Sequence, residues 1–289
     1  MPRQSMAQSR KTEFRFAMLV VFVSCSLQTW AANATVKEPS LDEGFRLLYA
    51  LDFDGAHRTF TAWEQAHPDN PMGLVADAAG LLFSEFHRLG ILESQFYEDD
   101  KKFDDRKKQK ADPAIRDRFN AALQLADERA KARLAKNPKD RDALFGLTLA
   151  AGLRADYAAL IDKSNIASLR FTNESSRWAE QLLEVDPECY DAHIATGTSK
   201  YIIGSMSAPV RWLLRLGGVG GDKKVGIQEL QLTADKGRYL APFARILLAI
   251  AYVREKDKAR AIELLASLRD EFPTNPLFEN ELARLNTGP

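Results

Sequence analysis

The sequence is poor in the residues that most often carry chemistry. Two cysteines, Cys25 and Cys189, and four histidines occur in 289 residues. Two thiols cannot build a disulfide framework, so any fold must be held by its core. Cys189 and His193 stand four apart with Asp191 between them, a spacing that one helix face would unite. A zinc site needs three or four ligands, however, and His57, His67 and His87 are isolated, so these residues are expected to pack and no metal or cofactor is assigned. No G-x-S-x-G, H-E-x-x-H or C-x-x-C occurs. Glu85, Glu93, Glu98 and Asp99 offer acids without a way to tell a general acid from a base. No catalytic residue is assigned, and a non-enzymatic role is expected.

Charge of one sign is also missing. Lys plus Arg and Asp plus Glu both total 40, which leaves no overall field to draw nucleic acid. The glycine-rich segment WLLRLGGVGGDKKVG, Trp212 to Gly226, lacks the Lys-Ser/Thr pair of a phosphate-binding loop, because Asp222 follows Gly221. It reads as a flexible connection between helices. Val210, Trp212, Leu213, Leu214 and Leu216, with Arg211 and Arg215 among them, form a short amphipathic patch suited to peripheral membrane association or to a partner.

What is present begins with a leader. Arg3, Arg10, Lys11 and Arg15 precede the apolar run Phe16 to Val23, which tapers into SCSLQTWAANA. This is the order of a secretory signal, and Ala32-Asn33-Ala34 places cleavage after Ala34. Residues 1–34 are thus expected to be a signal peptide and the protein to be exported, periplasmic or associated with the cell envelope. Three alternatives stay open, an uncleaved membrane anchor, an organelle presequence and lipidation at Cys25, although Phe22 fits poorly before a lipoprotein cysteine. Arg10-Lys11 is not a twin-arginine pair. Cleavage removes four basic residues and Glu13, leaving 36 basic against 39 acidic.

The full sequence is 45% hydrophobic, and the remaining chain, 35–289, reads as all-α. Twelve prolines fall mostly between helix-period segments, where a missing backbone donor does least harm. Long helix-compatible runs extend from Pro71 to Gly90, Ile91 to Lys110, Pro113 to Lys136, Tyr157 to Val185 and Lys224 to Lys236. Within Tyr97 to Pro113 the charges are mixed, and Glu98–Lys102 and Asp104–Lys108 are spaced to support a solvated helix. Two stretches read as helical hairpins, 40–68 and 242–273. In the first, Gly44, Ala56, Phe60 and Pro68 hold the places that Ala249, Ala261, Leu265 and Pro273 hold in the second, where Leu248 and Tyr252 add apolar anchors. DFDG, from Asp52, reads as the turn of the first hairpin. Ala126 and Ala130 mark the end of a weaker unit, and Phe145, Gly146 and Leu149 the start of the next.

On these residues the chain resembles the tetratricopeptide repeat superfamily, whose unit pairs large and small apolar residues across two helices. More weakly, the stretch GGVGGDKKVG through AIELL resembles the C-terminal part of the tetratricopeptide repeat 39 and inclusion-body clearance group. The resemblance implies an irregular superhelix, a right-handed solenoid of antiparallel helix pairs with a concave groove. Unit-ending prolines at 68, 138, 187 and 273 are 70, 49 and 86 apart, against a standard period of about 34, so the array is irregular. Repeat packing is expected from Gly44, Ala56, Phe60, Ala249, Tyr252, Ala261 and Leu265. Groove contacts are expected from Phe45, Tyr49, Phe243, Ile246, Ile250 and Arg254. Leu41, Phe45, Leu48, Phe243, Ile246, Ile250 and Val253 at groove places disfavour a clamp for a partner's carboxylate. The expected function is a non-catalytic scaffold or adaptor of the cell envelope that binds a protein partner through a largely apolar groove. The alternative is a carrier of an apolar small molecule or lipid, its pocket closed between the long central helices.

Overall fold

The computed structural model describes residues 38–92, 110–216, 218 and 220–287. The leader, its Ala34 cleavage point, Cys25 and the paired charges between Glu98 and Lys108 lie outside the described residues. The described residues form α1 Leu41–Tyr49, α2 Phe53–Ala66, α3 Met72–Arg88, α4 Pro113–Lys136, α5 Arg141–Leu160, α6 Asn165–Val185, a 3-10 turn Tyr190–Ala192, α7 His193–Ser205, α8 Ala208–Leu216, α9 Lys223–Lys236, α10 Ala241–Arg254, α11 Lys258–Glu271 and α12 Pro276–Thr287. None of them is in a strand. The fold is an all-α array of antiparallel helix pairs. Helices pair as α1/α2, α3/α4, α5/α6, α7/α9 and α10/α11, and each pair packs on the next, since one hairpin alone cannot cover its own apolar face.

The first and last clear hairpins share their construction to the level of backbone geometry. Leu51 and Lys256 both adopt left-handed conformations, with φ of 62° and 63°. The following Asp52 and Asp257 cap α2 and α11, accepting from Gly55 N at 2.8 Å and Arg260 N at 3.3 Å. The turn is therefore Ala50–Leu51, and Phe53, Asp54 and Gly55 of the DFDG sequence already belong to α2. A non-glycine residue at positive φ carries no sequence signature, whereas an Asp-Gly pair imitates one.

Side-chain sizes are matched within each hairpin. A Cβ on Gly44 would lie 2.2 Å from the Phe60 ring, so only glycine fits beneath that aromatic residue. At the equivalent places the last hairpin has Ala249 and Leu265, both buried, one methyl larger on one side and one ring smaller on the other. Ala56, Phe60 and Ala261 are fully enclosed and Tyr252 nearly so.

The four unit-ending prolines sit in one kind of turn. His67, Asn137, Asp186 and Phe272 accept from the N–H three residues on, at 2.9, 3.0, 3.1 and 3.0 Å, with Pro68, Pro138, Pro187 and Pro273 at the second position. Proline is favoured there because its ring presets φ. Asn70, Asp140 and Asn275 close their turns and cap the next helix through Met72 N, Ala143 N and Leu277 N.

Three expectations require correction. The run from Tyr157 to Val185 is broken: α5 ends at Leu160, Lys163 turns at φ 55°, and α6 starts at Asn165 and folds back along α5. Ile91 and Leu92 are outside any helix, because Gly90 at φ 65° ends α3, and the rest of that run lies outside the described residues. The segment from Trp212 to Leu216 belongs to α8 rather than to a flexible connection.

Glu85 closes one long gap in the described chain. It is buried and accepts from Arg88 Nε at 2.7 Å, Arg88 Nη2 at 2.6 Å and Asp112 N at 2.7 Å. The Arg88 guanidinium holds this carboxyl below the usual range. Glu85 thereby fixes the start of α4 to α3 and is spent on structure.

An apolar cavity as the candidate functional site

The array does not leave its inner face open. The Tyr49 hydroxyl on α1 donates to the Tyr239 carbonyl at 3.0 Å, and Asn275 Nδ2 donates to the Tyr49 carbonyl at 2.9 Å. Arg238 pairs with Asp42 through Nε and Nη2 at 2.8 and 2.7 Å. Phe45 stacks near Tyr239, Phe83 meets Phe243 edge-on and Tyr49 packs on Phe272, with ring centres 5.3, 5.6 and 5.6 Å apart. Residues of α1 and α3 thus pack against elements from far along the chain.

Asp191 positions the segment that makes this closure. Its carboxylate accepts from Arg238 N at 3.0 Å, Tyr239 N at 3.2 Å and Leu240 N at 3.0 Å, ahead of α10. Burial raises its pKa while these three donors oppose the rise. Burial also raises the Tyr49 hydroxyl, which stays a donor throughout the neutral range. The Arg238–Asp42 pair is exposed and contributes about 1 kcal/mol at most, so packing and buried hydrogen bonds carry the closure.

The faces that meet line a partly open cavity of about 690 Å³. One wall, from α1, α3 and α10, is apolar and includes Phe45, Phe83, Phe243, Ile246 and Ile250. The opposite wall comes from α5 and α6. There Leu149, Gly152, Leu153, Asp156 and Leu160 form one helical stripe, and Asn165, Ser168 and Thr172 line the cavity from α6. Ser175 Oγ donates to the Thr148 carbonyl at 2.7 Å and fixes the register of these antiparallel helices. Burial pushes the Asp156 carboxyl up to about 7.

The structure places all six expected groove residues, Phe45, Tyr49, Phe243, Ile246, Ile250 and Arg254, on the cavity wall. All seven expected packing residues are buried, and two of them, Ala249 and Leu265, also touch the cavity. Asp156 was not anticipated, although its signal is in the sequence: one acid on the apolar stripe of a helix reading ALFGLTLAAGLRADYAAL. Cys189 is buried with its thiol raised to about 11 by burial, which leaves it in the unreactive neutral form. Burial lowers the pKa of His193. Among the described residues, no group of three His, Cys, Asp or Glu side chains could hold a metal ion.

No known family model matches the chain, and no curated protein matches it. Among solved structures it is similar to that of a thermophilic TPR protein from Thermus thermophilus, with 16% identity and a TM-score of 0.43, over 86% of this chain and 99% of that one.

Proposed function

We propose that the protein is a non-catalytic carrier of an apolar small molecule, held between the helices, and that it acts as an exported protein of the cell envelope. Tetratricopeptide-like folds generally bind proteins along a concave face. Here the residues expected at that face line a cavity instead, and this observation carries the reading. A volume of about 690 Å³ falls within the roughly 300–1,000 Å³ of small-molecule sites. Apolar walls with few polar groups suit a ligand that gains by leaving water.

A second reading, a scaffold or adaptor for a protein partner or a membrane surface, is supported by α8. This helix has no buried residue, and Trp212, Leu213 and Leu216 are each about two-thirds exposed. Arg211 and Arg215 flank them, so the face combines apolar anchors with cations.

Titration of the chain beginning after Ala34 with 1-dodecanol tests the carrier reading. One saturable site is expected, and Gly152→Phe should lose it while keeping the helical spectrum, since a Cβ at Gly152 meets only Ser175 Oγ at an ordinary 3.5 Å. Equal binding by both proteins would place the alcohol outside the cavity and defeat the reading.

A further inference from the structure

Asp156 is the feature of the cavity that packing does not explain. Acids are rare on the apolar stripe of a core helix, because burying an unmatched carboxylate costs several kcal/mol unless it takes up a proton or gains a partner. Asp156 is half-buried on this stripe, with neither a hydrogen bond nor an ion pair among the described residues, and loss of water contact is the only influence acting on its proton affinity. The other acid on the wall, Glu281, is matched by Arg284. Arg254 also lines the cavity and is already engaged.

The surroundings of Asp156 are graded. The register set by Ser175 and Thr148 brings Asp156 level with the turn of α6 that carries Ser168. Asn165, Ser168 and Thr172 therefore offer oxygen acceptors on the same wall. Across the cavity Phe45, Phe83, Phe243, Ile246 and Ile250 offer no hydrogen-bonding group, and Tyr49 and Arg254 of the same helices are already engaged. A ligand that satisfies both walls has a donor-rich cationic end and an apolar remainder.

Building on the carrier reading, we propose that the cavity selects an apolar molecule bearing a single ammonium group, with Asp156 as its counter-ion and Ser168 and Asn165 as neutral acceptors. An ammonium group supplies three donors and the missing positive charge, while the aromatic wall opposite takes the apolar remainder. A fatty-acid carboxylate would face a like charge. A neutral alcohol could occupy the volume and would leave the charge of Asp156 unmatched.

The test is calorimetric titration at pH 8 of the chain beginning after Ala34, with dodecylamine, 1-dodecanol and dodecanoate, each kept below its solubility or micelle limit. The amine is cationic there, alkyl ammonium groups losing their proton near pH 10.4. Wild type should bind the amine at least tenfold more tightly than the alcohol and bind dodecanoate least. Asp156→Asn should bring the amine to the level of the alcohol and leave the alcohol unchanged, and Asp156→Leu, with its fold checked by melting, should do the same. Amine and alcohol bound alike, dodecanoate bound best, or a preference that survives Asp156→Asn would overturn this inference while the carrier reading stands. Failure of all three to bind would overturn the carrier reading and the inference together.

Discussion

Tyr49 on the first helix and Tyr239, just before α10, are joined by a 3.0 Å hydrogen bond from the phenol to the backbone carbonyl. This contact is incompatible with an open groove between α1 and α10. Tyr49 is also tied by its own carbonyl to Asn275, so one residue links the first hairpin to both sides of the last. These contacts make the expected groove faces the walls of a partly open cavity.

Tyr49→Phe keeps the ring against Phe272 and removes the phenol donor. The Tyr239 carbonyl is then left without this bond, and a loss of about 1 kcal/mol is expected in denaturant unfolding. An unchanged midpoint would mean that the closing contact contributes nothing to stability.

Gly44→Ala should destabilise by roughly 1–3 kcal/mol, since the added methyl would sit 2.2 Å from the Phe60 ring. Combining it with Phe60→Leu reproduces the Ala249 and Leu265 pair of the last hairpin and should recover part of that loss. A double variant less stable than the sum of the singles would show that the two hairpins are not equivalent.

Asp156 makes stability depend on pH. Its folded pKa of about 7 lies above the ordinary 3.8, so the folded state holds the extra proton between those values. Stability from this group is therefore full below pH 4 and falls as pH rises through 7. Asp156→Asn should remove that slope and make the empty protein more stable than wild type at pH 8. Tyr49 and Tyr201, also on the wall, are raised by burial and stay neutral over this range. The check is a pair of melting curves at pH 5 and pH 8, and parallel behaviour of the two proteins would count against a half-buried, unmatched carboxylate.

The exposed face of α8 yields a separate expectation. Replacing both Trp212 and Leu213 by Ser should leave the melting temperature unchanged, since neither is buried, and should abolish co-sedimentation with anionic phospholipid vesicles. If wild type does not sediment with vesicles, membrane association is ruled out.

Much of the fold was legible because local chemistry decides it. Pro113 and Asp112 start α4 as a capped helix should start, and the four proline turns follow from Pro68, Pro138, Pro187 and Pro273. The break at Lys163 was hidden because apolar periodicity continues on both sides and no glycine or proline marks it. The closing contacts were illegible for a different reason. They join Tyr49 to Tyr239 and Asn275, residues whose proximity depends on the summed angles of all the intervening hairpins and not on any local pattern. The six residues expected at a groove were named from repeat places and line the cavity, whereas Asp156 required knowing that its stripe faces that cavity.

The most direct measurement is native mass spectrometry of the protein purified from its own host, before and after organic extraction, alongside Gly152→Phe. Wild type should carry a discrete added mass that extraction removes, and Gly152→Phe should fold without it. A wild-type protein that carries no such mass and binds none of the dodecyl compounds would contradict the account.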